Sequence, residues 1–141
     1  MKSLTKMNIS TEYPPNYRRI IEVLGTDDSA VYCYGDTIYN PHGREITADI
    51  EVHEAVHSKQ QGQYPELWCE KYLTDRDFRL SCEVEAYAVQ YKFICKMLKG
   101  SSLIPWKLKK LADELSSPCY NLNITPVRAR LMIKNFTVKH G

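Results

Sequence analysis

The stretch Asp49-Ile50-Glu51-Val52-His53-Glu54-Ala55-Val56-His57-Ser58-Lys59-Gln60-Gln61-Gly62 decides how this chain is read, because it holds the pattern H-E-x-x-H. On a helix that advances about 100° per residue, His53 and His57 lie about 40° apart on one face, with Glu54 within about 100° of both. Two neutral imidazoles so placed can each reach a Zn²⁺ at about 2.0–2.1 Å, and the carboxylate between them can take a proton from a water on the metal. The pattern supplies two of three protein ligands and a general base. Its flanks predict a helix from about 47 to 61: Thr47 stands as N-cap, Asp49 and Glu51 put negative charge in the first turn, and Gly62 follows as a stop. A surface helix with two solvated histidines would show the same letters, so a third ligand downstream decides between the two.

Upstream, Ala30–Tyr34 reads as a strand rich in β-formers, Gly35-Asp36 as a tight turn, and Thr37–Asn40 as the hairpin partner. Pro41-His42-Gly43 ends that strand, and His42 belongs to the turn rather than to a metal site. Pro14-Pro15 precede a short amphipathic helix, Tyr17–Leu24, closed by Gly25. Residues 1–13 read as poorly structured and as a segment able to cover a cleft.

Downstream, Pro65 opens a short helix over Glu66–Leu73, a turn follows at Thr74–Asp77, and the longest helix runs from about 76 to 98. Phe78, Cys82, Ala86, Val89, Phe93 and Met97 repeat at spacings of three and four, which predicts one apolar stripe facing a core. The candidate third ligand lies on this helix, in Ser81-Cys82-Glu83-Val84-Glu85-Ala86-Tyr87. Glu83 and Glu85 are about 160° apart, one on each flank of the stripe, so periodicity leaves the choice open. Either can close a His₂Glu set and leave a fourth position for water, or be a solvated partner of Arg79 or Lys92. Gly100-Ser101-Ser102 ends the helix. Pro105 then opens another, with Leu108, Leu111, Ala112 and Leu115 on its inner face and Lys107, Lys109 and Lys110 outside. After the polar loop Cys119–Asn123, Thr125 and Pro126 start a last helix that turns Ala129, Met132, Ile133 and Phe136 inward, and His140 near the end is expected to be disordered.

Length, charge and cysteines bound the class. At 141 residues the chain is read as one domain with a core that needs no metal or disulfide staple, so a metal here would be functional. Its five cysteines are odd in number and never form C-x-x-C, which indicates neither a disulfide framework nor a cysteine zinc site. The first residues lack the apolar stretch of a secretory signal and no run is long enough to span a bilayer, which predicts a cytoplasmic protein. The net charge of +2 hides an asymmetry, since residues 1–91 carry 9 Lys/Arg against 15 Asp/Glu and residues 92–141 carry 10 against 2. That basic half reads as solvated helix faces or as a surface for a polyanion.

Taken together, H-E-x-x-H followed by Ser58-Lys59-Gln60, and later by Glu83-x-x-Ala86, resembles the gluzincin type of zinc metallopeptidase. The likeness is to small members with H-E-x-x-H-x-x-Q and then E-x-x-A-[DY] on a second helix, and it runs from about Thr37 to Gln90 and loosely to Tyr120. It implies an α+β zincin-like fold, mostly helical with a small antiparallel sheet, in which residues 101–141 form a helical cap. It implies Zn²⁺ held by His53, His57 and Glu83 rather than Glu85, Glu54 as base, and Tyr120 as a stabiliser of an oxyanion. It also makes Thr37–Asn40 the edge strand against which an extended peptide or protein substrate pairs. Larger relatives carry Asp where this chain has Tyr87, and that Asp orients the first histidine, so the support must come from elsewhere. Two other functions fit the same residues: a binding module that turns its basic half to a polyanion or acidic protein, and a zinc amidase acting on cell-wall peptides.

Overall fold

Proline and glycine set several of the element boundaries, at or within a residue of where their backbone preferences put them. A computed structural model describes residues 6–137. In chain order these form β1 (Asn8–Ser10), α1 (Tyr17–Leu24), β2 (Tyr32–Tyr34), β3 (Thr37–Tyr39), α2 (Ala48–Gln61), α3 (Pro65–Thr74), α4 (Arg76–Met97), α5 (Ile104–Leu115), a 3₁₀ turn (Pro118–Tyr120) and α6 (Pro126–Asn135). The class is α+β, dominated by helix. No helix among the described residues is long and apolar enough to cross a membrane. His140 lies outside the described residues.

The sheet departs from expectation in three ways that share one cause. Residues 8–10 are a strand, not part of an unstructured lead, and they pair in parallel with β3 in the register Ile9 opposite Ile38. The sheet is therefore mixed rather than antiparallel. Its order is β1-β3-β2, so Thr37–Tyr39 runs down the middle and β2 is an outer strand. The expected edge strand is internal because the amino-terminal segment occupies its free side. That segment is anchored again where the Met7 amide donates to Glu51 of α2 at 3.1 Å, and none of the described residues before Asn16 lines the main cleft. Described residues 6–13 do not cover the cleft.

The hairpin between β2 and β3 turns through Gly35, whose φ of +62° is easy only for a residue without Cβ. Gln61, at the end of α2, fastens this hairpin to the helix by donating to the Cys33 carbonyl (2.9 Å) and accepting from the Gly35 amide (2.7 Å). Those two bonds cap the outer edge of β2 near its turn.

The apolar core sits away from the sheet. Tyr87 and Ile94 of α4 meet Leu108, Leu111, Ala112 and Leu115 of α5, and Leu122, Ala129 and Ile133 close the cluster. The α5 face predicted from spacing is buried at all four positions. On α4 the predicted stripe is buried only at Cys82 and Ala86, and polar residues share the inner face. The other buried residues include Arg79, Glu83, Tyr87, Gln90 and Ile94, whereas Met97 is 67% exposed and Phe78, Val89 and Phe93 are only partly covered. The polar members share that face because the partner helix on that side, α2, buries His53, Glu54, His57 and Gln61.

Candidate metal centre

Two helices carry the centre, and each has a marked start. Asp75 caps α4 by accepting from the Phe78 amide at 3.0 Å. Thr47 has the extended backbone of a cap residue, but its hydroxyl donates to Asp49 at 2.7 Å instead of accepting from the helix. With α2 packed along α4, the i and i+4 imidazoles face the middle of the longer helix.

There they meet Glu83 and not Glu85. His53 Nε2 is 3.3 Å from Glu83 Oε1 and His57 Nε2 is 3.0 Å from Glu83 Oε2, all three residues being buried. One donor atom from each of His53, His57 and Glu83 lies within 4.8 Å of the others, a group that could hold a metal ion. Glu85 instead accepts from the Gln60 side chain at 2.8 Å. Arg79 pairs with neither glutamate. Buried, it donates to the carbonyls of Tyr72, Leu73, Tyr120 and Asn121 at 2.8–3.3 Å.

The hydrogen bonds around the imidazoles fix which nitrogen is bare. Gln90 donates through Nε2 to Asp49 at 2.8 Å, and Gln60 donates through Nε2 to the Cys82 carbonyl at 3.1 Å as well as to Glu85. Carboxylates and carbonyls only accept, so both amides must turn their NH₂ outward and their oxygens toward the histidines. Those oxygens lie 2.9 Å from His53 Nδ1 and 3.0 Å from His57 Nδ1. Each Nδ1 therefore carries the hydrogen, and in a neutral ring each Nε2 is left as a lone pair aimed at Glu83.

Lone pairs facing carboxylate oxygens need a cation between them. Consistent with that, Glu83 Oε1 is buried without any hydrogen-bond partner. Burial works to lower His57, but the Glu83 carboxylate outweighs it and holds the ring up to about 9, while burial of Glu83 is overridden by His57 and His53, which keep its carboxyl far below the ordinary range. A proton held this way, or a divalent metal, satisfies the same geometry. The donor set of two imidazoles and one carboxylate suits a divalent transition metal.

Glu54 is buried beside this group, its Oε2 3.9 Å from His53 Nε2. Burial raises its pKa, with partial relief from His53 and His57, which moves a carboxyl in the direction a proton-shuttling group needs. Tyr72 donates to Glu83 Oε2 at 2.5 Å, and burial followed by the Glu83 charge keeps the phenol well above its usual range. Tyr120 shares a hydrogen bond with Tyr87 at 2.7 Å, and the Tyr87 ring lies edge-on to His53 with centroids 4.4 Å apart. Tyr87 thus packs against the first histidine while Gln90 orients it. His42 is remote from the cluster and meets Tyr13 edge-on.

Glu83, Glu54, both histidines, Tyr72, Tyr87 and Tyr120 all line a cleft of about 1110 Å³ whose opposite wall includes Ala30–Cys33. Sequence reasoning missed Gln90, Tyr72 and Asp49. Gln90 had a signal, since it stands seven residues after Glu83 on the same helical face. Tyr72 had none, because its role depends on how α3 folds back on α4. Compared with protein families, with curated proteins and with solved structures, the chain finds no match.

Proposed function

We propose that this chain is a zinc-dependent metallopeptidase with a zincin-like arrangement of its site. The observation that carries the reading is the convergence of His53, His57 and Glu83 at a cleft that also receives a buried Glu54. Bound there, zinc would lower the pKa of a water to about 7 and polarise a carbonyl. Glu54 would then take a proton from the attacking water and return it to the leaving amine. Tyr120 and Tyr72 line the cleft, and Tyr120, whose hydroxyl is shared with the Tyr87 phenol and not committed to Glu83, is the better placed donor for a developing oxyanion.

Of the two outer strands, β1 and β2, only β2 lines the cleft, and an extended peptide would join the sheet there. The edge it would join is the outer side of β2, where Gln61 already occupies the Cys33 carbonyl and leaves the residues before Cys33 for a substrate. The test is Glu54→Gln. The variant should bind zinc as the wild type does and cleave peptides about 10²–10⁴-fold more slowly, whereas a chelator should abolish cleavage by the wild type. Equal turnover in Glu54→Gln removes the mechanism.

A further inference from the structure

The cleft does not end at the metal centre. Past Gln90 it shares Arg44, Ile50, Lys110 and Glu114 with a side pocket of about 130 Å³, completed by residues that include Trp106 and Lys107. Because Gln90 is hydrogen-bonded to His53, one side chain separates this pocket from the centre.

The pocket is cationic and its cations are free. Among the described residues, Arg44, Lys107 and Lys110 have no carboxylate within 4.0 Å, although Lys109 on the same helix pairs with Asp113 at 3.0 Å. Two carboxylates share the pocket, Glu114 and Asp49, the latter also accepting from Thr47 and Gln90, so three cationic side chains stand against two acidic ones. The cations are also positioned. Buried Asn40 clamps the Arg44 backbone with two hydrogen bonds, to the carbonyl at 2.7 Å and from the amide at 3.0 Å. The ammonium groups of Lys107 and Lys110 each stand 5.5 Å from the centroid of the half-exposed Trp106 ring.

We propose that this side pocket selects an acidic residue of the substrate: Arg44, Lys110 and Lys107 receive the carboxylate of an Asp or Glu near the scissile bond, with Trp106 as the pocket's apolar wall. The inference rests on the peptidase reading for its substrate and gives a function to the basic half of the chain. An arginine matches a carboxylate through two parallel donors, and lysines add charge without fixing direction, so an amide isostere of the same size loses most of the interaction.

The test walks one Glu, or its isostere Gln, along a set of Ala/Gly decapeptides. Binding is read from tryptophan fluorescence of zinc-loaded Glu54→Gln protein, and cleavage from the wild type by mass spectrometry. At one position Glu should bind, and be cleaved, about tenfold better than Gln, and the advantage should vanish in Arg44→Gln/Lys110→Gln and shrink in high salt. No Glu advantage at any position overturns the acidic subsite, even if peptides are cleaved. A Glu advantage in binding with no cleavage of any peptide keeps the subsite and sinks the peptidase reading instead.

Discussion

The two sides of α4 are both buried, by opposite means. Toward α5 and α6 the helix presents Ile94 and the ring of Tyr87 to a cluster of Leu, Ile and Ala, where, apart from the Tyr87 hydroxyl bonded to Tyr120, area and shape are what is required. Toward α2 it presents Glu83 and Gln90 to His53 and His57, where every polar atom needs a partner of the right sign. The first side tolerates neighbours that are merely apolar and fit. The second specifies which atom of each ring faces which oxygen, and that is information a hydrophobic contact does not hold.

The contrast can be broken by substitution on each side. The largest effect belongs to the polar side: His57→Ala or Glu83→Ala should leave purified protein without stoichiometric zinc by elemental analysis, and retention of a full equivalent would falsify the ligand set. Next comes the apolar side, where Leu115, fully buried, should cost about 2–5 kcal/mol of unfolding free energy when truncated to Ala. Denaturant titration measures it. The folded Leu115→Ala protein should bind zinc as tightly as the wild type, and weaker binding would mean that the two sides are coupled.

Smaller effects sharpen the comparison. Gln90→Leu keeps most of the volume but removes the oxygen that orients His53, so zinc affinity should fall about 10–100-fold in a competition titration, and the metal-free protein should lose about 1–3 kcal/mol because the buried His53 Nδ1 is left without a partner. An unchanged affinity would show that the ring is held by packing against Tyr87 alone. Glu85→Ala, one bond further out through Gln60, should weaken zinc by under about tenfold. A larger loss there than in Glu83→Ala would exchange the roles of the two glutamates.

Much of this arrangement is legible in the sequence. The bounds of α1 and α2 follow from caps and glycines, and the α5 face follows from the spacing of Leu108, Leu111, Ala112 and Leu115. What the sequence leaves open is decided at a distance. Periodicity puts Glu83 and Glu85 on opposite flanks of one helix, and the capture of Glu85 by Gln60, 25 residues earlier, settles which flank each serves. The middle position of β3 likewise depends on Asn8-Ile9-Ser10, three residues with little β signal of their own, whose pairing exists only because β3 offers a free side. The α4 stripe holds at Cys82 and Ala86 but not at Phe78, Val89, Phe93 and Met97, for a related reason: apolar spacing predicts the buried face only when the neighbouring helix is apolar too.

Arg79 gives the fold a property of a different kind. Its guanidinium joins the carbonyls near the end of α3 to those of Tyr120 and Asn121 after α5. The gap between the phenols of Tyr72 and Tyr120 is therefore gauged by a rigid planar cation rooted in a rod. Insertions or polymorphism in either connecting stretch can alter its contour while the aperture keeps its calibre.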